Sequence, residues 1–231
     1  MKKRRIVIAT VKSWNIINAN KLKIPDTEIF LIDDKKKLIY EEICEINPEY
    51  VFFIHWSWYI SKDIFEKFEC IVFHPAKVPF GRGGSPIQNL IEKGYDNTVI
   101  SAIRVGEELD AGDVYPIRCE LSLYGTADEI LMRMSEMVCF DMIPWIVNNK
   151  PKAEAQIGDV VYFSRRKPEE SLIDFGKDLK NIFNKIRMLD GEGYPNAYVN
   201  IGDYKISFTR ASLHSEYLVS DVKIIKRGEE L

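Results

Sequence analysis

The sequence predicts an α/β domain with an open, mostly parallel twisted sheet, followed by a small and mostly β C-terminal module. Two observations predict this arrangement. Short apolar runs of strand length alternate with segments of helical periodicity through the first two thirds of the chain. Near Pro151 the sequence changes to a charged, irregular stretch, one helical segment and three strand-like runs. We therefore predict a first domain over residues 1–150 and a C-terminal extension, a helix plus a β-hairpin, over residues 151–231.

The predicted elements of the first domain alternate along the chain. The predicted strands are Arg5–Thr10, Thr27–Ile32, Tyr50–Ile54, Cys70–Phe73, Asn97–Val105 and Asp113–Cys119. The predicted helices are Ser13–Leu22, Lys36–Ile46, Asp63–Phe68, Pro86–Lys93 and Thr126–Asn148. The last and longest of these helices begins with Thr126 and has Glu129 three residues on, which is the spacing of a capping box.

The C-terminal module is predicted from a shorter set of signals. One helical segment, Asp178–Leu189, precedes three strand-like runs, which are Ala197–Ile201, Lys205–Thr209 and Tyr217–Ile225. The pair Gly202-Asp203 separates the first two runs and predicts a hairpin turn.

Composition excludes several classes of protein. The net charge of −3 gives no basic bias that would indicate a nucleic-acid partner. The four cysteines form no C-x-x-C pair and indicate reduced thiols in a cytosolic protein, with no metal site. The apolar run after the basic N-terminal residues is six residues long, too short for a signal peptide, and no stretch is long enough to span a membrane. We expect a cytoplasmic protein.

The stretch CIVFHPAKVPFGRGGSPIQNLI, residues 70–91, carries the first chemical signal. Its histidine, His74, directly follows a predicted strand, and the carboxyl ends of strands are where open α/β sheets bind ligands. The glycines that follow would let the backbone approach a ligand, and Arg82 could face an anionic group. The alternative is a packed or capping histidine with glycines that only make turns. The stretch lacks the glycine pattern of a dinucleotide loop and the lysine of a P-loop.

A second signal is GEELDAGDVY, residues 106–115. Asp110 lies in a tight turn between two strand-like runs, and we expect it at the same end of the sheet as His74. An imidazole and a carboxylate that face one pocket form an acid/base pair. The alternative reading of Asp110 is ordinary turn chemistry.

The two stretches together resemble the signature of the folate-dependent formyltransferases. This family includes methionyl-tRNA formyltransferase, glycinamide ribonucleotide transformylase and the nucleotide-sugar N-formyltransferases. Its pattern is Asn-x-His, a loop rich in Pro, Arg and Gly, and then Asp-x-Gly. The similarity covers Arg5–Asn148, and the later segments SRRKPEES and IRMLDGEGYPNAYV resemble the sugar-modifying branch. The resemblance implies the formyltransferase fold, which is a Rossmann-like open, mostly parallel twisted sheet.

The resemblance implies that His74 and Asp110 are catalytic and that N10-formyltetrahydrofolate is the formyl donor. Asp110 would accept a proton from the attacking amine, and His74 would stabilise negative charge on the formyl oxygen. The family asparagine falls on Val72, so one oxyanion donor is missing. Asn89, a backbone N–H group or His74 alone remain as substitutes. No metal is required.

The remaining implied contacts fall into two sets. The loop residues implied to contact the folate are Val78, Pro79, Phe80, Gly81, Arg82, Gly83, Gly84, Val105 and Asp113. The residues predicted to contact the acceptor are Lys12, Trp14, Asn15, His55, Trp56, Lys77 and Tyr194. The lysines would contact phosphates, and the Trp and Tyr rings could stack on a ring of the ligand. For each lysine the alternative is a solvated charge, and for each aromatic residue it is core packing.

The acceptor is predicted from charge and length. The chain is acidic and short for the tRNA-directed branch, and its C-terminal β module is unusual for the glycinamide branch. We therefore expect formyl transfer to the free amine of a nucleotide-linked amino sugar of the 4-amino-4,6-dideoxy type, as in surface-glycan biosynthesis. The expected partners are the sugar nucleotide and the folate, with no nucleic acid and no membrane. The C-terminal module could also support a homodimer.

Other functions remain open at this point. One is a non-catalytic nucleotide-sugar or folate-binding module, which the missing asparagine would suit. Others are formyl transfer to another amine such as glycinamide ribonucleotide, a formyl hydrolase, and a Rossmann-like oxidoreductase. The loop TVKSWN after the first strand contains no glycine, which disfavours the oxidoreductase.

Overall fold

The structure is a computed structural model that describes residues 3–228. Contacts within the chain divide it into two compact units, each assembled from several stretches of sequence. The first unit comprises the described residues up to Gly83 together with Thr98–Leu121 and Met132–Tyr162. The second unit comprises Gly84–Asn97, Ser122–Leu131 and the described residues from Phe163 onward. A division into folding domains at residue 150 stays a prediction.

Eleven strands and seven α-helices form these units within the described residues. The strands are β1 (Arg4–Ala9), β2 (Thr27–Ile32), β3 (Tyr50–Phe53), β4 (Cys70–His74), β5 (Phe80–Gly83), β6 (Asn97–Arg104), β7 (Val114–Ser122), β8 (Val161–Phe163), β9 (Tyr198–Ile201), β10 (Tyr204–Leu213) and β11 (Leu218–Lys226). The helices are α1 (Ser13–Lys21), α2 (Tyr40–Ile46), α3 (Lys62–Lys67), α4 (Pro86–Glu92), α5 (Ala127–Met137), α6 (Ile143–Asn149) and α7 (Leu179–Arg187). Among them, no helix combines the length and the apolar composition that crossing a bilayer requires.

A six-stranded sheet organises the first unit. Its strand order is β2-β1-β3-β4-β6-β7. The pairs β1–β2, β1–β3 and β3–β4 are parallel, whereas β4–β6 is antiparallel. The four residues of β3 and the last four of β1 are all buried, which is typical of strands covered on both faces. The predicted α/β class with a mostly parallel sheet is confirmed.

Two predicted helices are interrupted in the structure. Lys36–Ile46 is not one helix, because the Asp34 carboxylate caps a 3₁₀ turn over Lys35–Lys37 and Ile39 is extended before α2 begins. Thr126–Asn148 is divided by a π-helical turn over Val138–Met142 between α5 and α6. Pro144 lies in the first turn of α6, and a proline in a helix removes one backbone donor, which a local π turn accommodates.

The second unit contains a three-stranded sheet of order β11-β10-β9 and the helices α4 and α7. The predicted hairpin turn is confirmed: Ile201 pairs with Tyr204, and Gly202 has the positive φ of 55° that the turn needs. The α7 residue Arg187 is buried and donates to the carbonyl oxygen of Gly125 at 3.1 Å, which fixes this helix against the loop before α5.

The capping box at the start of α5 is present and gives a stability prediction. The Thr126 hydroxyl accepts from the Glu129 N–H at 3.3 Å, and the Glu129 carboxylate accepts from the Thr126 N–H at 2.8 Å. We expect Thr126→Ala to lower the free energy of unfolding by about 1 kcal/mol in urea denaturation, because it removes the cap. Thr126→Ser keeps the hydroxyl and serves as the control. Equal losses in both variants would contradict this role.

Candidate active site

His74 and Asp110 meet in the first unit. The Nδ1 atom of His74 lies 3.4 Å from the Oδ2 atom of Asp110, and the two side chains are only 8% and 9% exposed. His74 is the last residue of β4 rather than the first residue after it, and Asp110 comes from the turn between β6 and β7. The structure therefore brings together the two side chains that the sequence predicts to be catalytic.

Asp110 reaches His74 by a different route from the one expected. Since β6 is antiparallel to β4, Arg104 pairs with Ile71, and the carboxyl end of β6 lies beside the start of β4. The side chain of Asp110 meets His74 as expected, although the strand before it ends beside the start of β4 and not beside His74. The turn of residues 105–113 carries the Asp110 carboxylate from the end of β6 to His74, the last residue of β4.

The turn that carries Asp110 is closed and tightly constrained. At its base the Arg104 N–H donates to the Asp113 carbonyl and the Val105 N–H donates to the Cys70 carbonyl, both at 2.8 Å. Asp110 has a positive φ of 54°, an uncommon conformation for a residue with a side chain. A Cβ on Gly112 would lie 1.9 Å from the Arg104 carbonyl oxygen, so this position of the Asp-x-Gly motif requires glycine.

Both ring nitrogens of His74 have partners within the chain. The Nε2 atom lies 2.7 Å from the Gly81 carbonyl oxygen. A carbonyl oxygen only accepts, so Nε2 carries a hydrogen and donates it. The Nδ1 atom faces the Asp110 carboxylate, and a hydrogen bond between these two groups needs one further proton on either of them.

The glycine-rich loop after His74 forms a strand that the sequence did not predict. This strand, β5, pairs with β8 in a two-stranded sheet. Gly81 and Gly83 have φ values of 80° and 101°, which favour glycine. The Gly83 N–H donates to the Asp110 carboxylate at 2.9 Å, and the Gly81 carbonyl accepts from His74. The loop thus contacts both members of the pair.

Arg82 is held by groups of the chain itself rather than left to face an anion. It is buried, and its Nε and Nη2 atoms donate to the Gln156 side-chain oxygen at 3.0 and 2.8 Å, while Nη1 lies 3.8 Å from Glu108. The Gln156 amide nitrogen donates to the carbonyl oxygens of Asp110 and Gly112, each at 2.8 Å. The sequence did not point to Gln156, because no local pattern joins it to residues so distant in the chain.

Val72 offers no polar group in place of the family asparagine. It lies on the same strand face as His74 and packs against the apolar side chains of Val78, Ile103 and Val114. Asn89 is not a free donor either. In the second unit its amide nitrogen lies within 3.1 Å of three backbone carbonyl oxygens, those of Gly84, Ser85 and Ser164.

Five of the residues predicted to contact the acceptor follow two neighbouring strands. Since β1 lies between β2 and β3, the chain changes direction in the sheet at the β1/β3 boundary, a usual place for ligands. The residues that follow these two strands are Lys12, Trp14, Asn15, His55 and Trp56. The Trp14 ring lies 6.5 Å from the His55 ring and 5.5 Å from the Lys12 ammonium group.

The polar groups of these five residues differ in whether the described part of the chain provides them with hydrogen-bond partners. The Asn15 amide donates to the Thr10 hydroxyl at 2.9 Å, so it fixes the loop after β1. The indole N–H groups of Trp14 and Trp56 are buried, and within the described residues they have no acceptor. A buried donor without an acceptor is costly, and a ligand oxygen would remove that cost.

Burial, followed by the positive charge of Lys12, lowers the pKa of His55 to about 4, so its ring is neutral at pH 7.

The other predicted contact residues are placed separately. Lys77 is exposed between β4 and β5, and Val105 and Asp113 begin and end the turn of Asp110. Gly84 and Tyr194 belong to the second unit. There, burial raises the pKa of the Tyr194 hydroxyl, which is hydrogen-bonded to Gln88.

Comparisons with known proteins point to one group of enzymes. The C-terminal domain pattern of methionyl-tRNA formyltransferase matches residues 168–225. A methionyl-tRNA formyltransferase from Sulfurihydrogenibium is 28% identical over 212 residues, which are 83% of this chain and 67% of that protein. The enzyme of the same name from Thermotoga maritima is 26% identical over 196 residues, 81% of this chain and 61% of that protein. The chain thus spans roughly two thirds of the length of these curated relatives or less.

Solved structures give a similar result. A methionyl-tRNA formyltransferase from Clostridium thermocellum is 48% identical, with a TM-score of 0.94 over 96% of this chain and 99% of that one. HypX from Aquifex aeolicus in complex with tetrahydrofolic acid is 18% identical, with a TM-score of 0.74 over 91% of this chain and 38% of that one. A sugar N-formyltransferase from Shewanella is 14% identical, with a TM-score of 0.71 over 92% and 99%. The last two share the fold.

The lowered pKa of His55 predicts how stability depends on pH. A histidine whose pKa is depressed by folding contributes stability above its unfolded value of 6.5, and this contribution is lost as the pH falls toward 4. We expect the wild type to lose about 2 kcal/mol more than His55→Gln in the free energy of unfolding between pH 7 and pH 4.5, measured with urea. His214→Gln removes an exposed histidine and should behave like the wild type. Equal acid losses in all three proteins would contradict the burial of a neutral His55.

Proposed function

The chain belongs to the formyltransferase family, whose members are enzymes that use N10-formyltetrahydrofolate, and we propose that it transfers the formyl group of this donor to an amine. The contact of 3.4 Å between His74 Nδ1 and Asp110 Oδ2 carries the proposal. The pair occupies the positions of the two family motifs, and each of its loops is constrained to maintain the contact.

The reaction needs one proton transfer that the pair can serve. The donor supplies an electrophilic formyl carbon bound to a nitrogen that leaves with a proton. The amine forms a C–N bond to that carbon, and the bond from the carbon to N10 breaks. The amine loses one proton and N10 gains one, so the reaction is balanced. Asp110 accepts this proton, directly or through a water molecule, and His74 beside it keeps the developing charges compensated.

His74 also serves as the oxyanion donor. In the structure its Nε2–H donates to the Gly81 carbonyl, so this nitrogen already presents a hydrogen to an oxygen of carbonyl type. The formyl oxygen takes the place of the Gly81 carbonyl as the acceptor. One such donor contributes about 3–4 kcal/mol to the transition state in known cases. Because Val72 has no polar group, His74 carries this role without the family asparagine.

The two constrained loops form the folate site. Backbone groups of Val78–Gly84 and of the turn of residues 105–113 contact the donor, because Gly81 and Gly83 let a ligand approach the backbone closely. The proposed contacts are Val78, Pro79, Phe80, Gly81, Arg82, Gly83, Gly84, Val105 and Asp113. Arg82 contributes by holding its strand, since its guanidinium group is bonded to Gln156.

The acceptor is the free amine of a nucleotide-linked amino sugar. The cluster at the β1/β3 boundary supports this choice, because Trp14, Trp56 and the neutral ring of His55 suit a nucleobase. Lys12 suits a phosphate, and the two indole N–H groups, which find no acceptor among residues 3–228, suit ligand oxygens. The net charge of −3 does not favour a large polyanion such as tRNA. Lys77 and Tyr194 remain proposed contacts.

Methionyl-tRNA is the second candidate acceptor. The 48% identity to a protein named methionyl-tRNA formyltransferase, over nearly the whole of both chains, favours it. A tRNA would bind through several phosphate contacts and would therefore show a steep loss of affinity with rising salt. A sugar nucleotide has few phosphates and should show a much weaker dependence.

The two acceptors can be compared directly. Purified protein and N10-formyltetrahydrofolate are incubated with a 4-amino-4,6-dideoxy sugar nucleotide or with methionyl-tRNA, and the products are analysed by mass spectrometry. We expect the sugar nucleotide to gain the mass of one CO unit and the tRNA to remain unmodified. Formylation of methionyl-tRNA alone would replace the proposed acceptor and leave the proposed chemistry intact. Formate release without an amine would indicate a hydrolase, and ligand binding without product would indicate a binding module.

Substitution of the pair tests the chemistry. We expect His74→Ala and Asp110→Asn each to lower kcat by about 10²–10⁴-fold, because each removes a group that handles the transferred proton or the oxyanion. The double variant should be little worse than the poorer single variant, since the two groups act as a unit. Steady-state kinetics and thermal unfolding provide the measurement, with the exposed His214→Ala as the control. A near-normal rate in either single variant would remove the role assigned to that residue.

A further inference from the structure

Gln156 bridges two parts of the candidate site. It lies in the segment between α6 and β8, and its amide nitrogen donates to the carbonyl oxygens of Asp110 and Gly112, each at 2.8 Å. Its side-chain oxygen accepts two hydrogen bonds from Arg82, at 3.0 and 2.8 Å. An amide side chain has two N–H donors and two acceptor lone pairs, so all four are used. If the amide of Gln156 were rotated by 180°, its oxygen would face two carbonyl oxygens and its N–H groups would face a guanidinium group. No hydrogen bonds would form in that arrangement, so the orientation of the amide is determined.

The segment that carries Gln156 is fixed to the sheet close to this bridge. Glu154 pairs with Val114, the first residue of β7, through backbone hydrogen bonds of 2.7 and 3.0 Å. The turn of Asp110 ends immediately before Val114, so the backbone of the segment and that of the turn are anchored at one point. Gln156 therefore acts from a rigid support.

The conformation of Asp110 needs such support. Its φ of 54° is unfavourable for a residue with a Cβ, so the surrounding structure must hold it. A rotation of the peptide group after Asp110 would break its hydrogen bond to Gln156 and would redirect the carboxylate. On the other side, the Asp110 carboxylate accepts from the Gly83 N–H, next to Arg82 in β5. The carboxylate is thus aimed at His74 by contacts to β5 and to Gln156.

We propose that Gln156 is a positioning residue of the formyl-transfer reaction, which holds the backbone of Asp110 so that its carboxylate meets His74. This inference rests on the proposed function. Gln156 acts through Asp110 and through Arg82, which anchors the loop whose Gly81 carbonyl meets His74. Gln156 fixes the relative position of His74 and Asp110 and does not itself take part in the reaction.

Two substitutions separate the two halves of the bridge. Gln156→Met keeps the length of the side chain and removes all four hydrogen bonds. Gln156→Glu keeps the acceptor oxygens for Arg82 but places an acceptor against the carbonyls of Asp110 and Gly112. We expect both variants to lower kcat by about 10- to 100-fold, because both lose the hydrogen bonds to the backbone of Asp110, and to change KM for both substrates by less than about twofold. A wild-type kcat in Gln156→Glu would overturn the proposal, because anchoring of Arg82 would then suffice.

The effect should depend on Asp110. In the Asp110→Asn background, Gln156→Met should lower the residual rate by less than about twofold, because the group it positions is already lost. An unchanged 10- to 100-fold effect in that background would also overturn the proposal. The adjacent Ile157, which is 92% exposed, provides the matched control variant Ile157→Ala, with a rate and a melting temperature equal to the wild type.

A measurement without turnover separates this inference from the proposed function. The chain has three histidines, so selective ¹⁵N-histidine labelling gives a simple spectrum in which His74→Gln identifies the His74 signals. At fixed pH we expect the Nδ1 shift of His74 to move in Gln156→Met and Gln156→Glu and to stay constant in Ile157→Ala. Unchanged His74 shifts in both Gln156 variants would overturn the positioning contact. A shift change in a protein that formylates no acceptor would retain the contact and reject the proposed function. If Gln156→Met fails to fold, Gln156→Asn replaces it.

Discussion

The buried contact between the imidazole of His74 and the carboxylate of Asp110 is the constraint on which the rest of the first unit depends. Two side chains that are each less than a tenth exposed must meet from separate loops. A carboxylate so far from water is stable only when its oxygens are paired, which the Gly83 N–H and the imidazole achieve. The glycines of β5, Gly112, which has no room for a Cβ, and the Gln156 bridge all shape the loops that make this contact.

The antiparallel strand β6 explains why so much local support is present. A parallel strand would deliver the following loop to the carboxyl end of β4 directly. Here the chain leaves β6 at the opposite end and must return along β4, so the turn is long, closed at its base and locally strained at Asp110. A flexible return loop would place the carboxylate over a range of positions, whereas hydrogen bonds at its base, its middle and its end hold it in one.

Local patterns in the sequence predict most of the fold, whereas contacts between distant residues are what they miss. The strands β1–β4, the capping box of α5 and the turn at Gly202 follow from periodicity and capping rules that act within a few residues. The short strands β5 and β8 were missed because each is stabilised by a partner that lies far away in the chain. Gln156 was missed for the same reason. His74 and Asp110 follow from local signals, a histidine at a strand end and a carboxylate in a tight turn, and the family resemblance implies their roles. The antiparallel direction of β6 beside β4 depends on pairing between distant residues, so the sequence does not reveal it.

The hydrogen bond from His74 to Gly81 has a consequence for ligand exchange. A buried imidazole N–H without an acceptor would carry a large desolvation penalty. In this structure the Gly81 carbonyl oxygen is that acceptor, in the place where a ligand carbonyl is proposed to bind. In the proposed reaction, a formyl oxygen replaces the Gly81 carbonyl as the acceptor, so His74 keeps the same number of hydrogen bonds. Under the same proposal, a folate that has lost its formyl group offers no such oxygen, so the Gly81 carbonyl again accepts from His74 and release of the product folate is favoured.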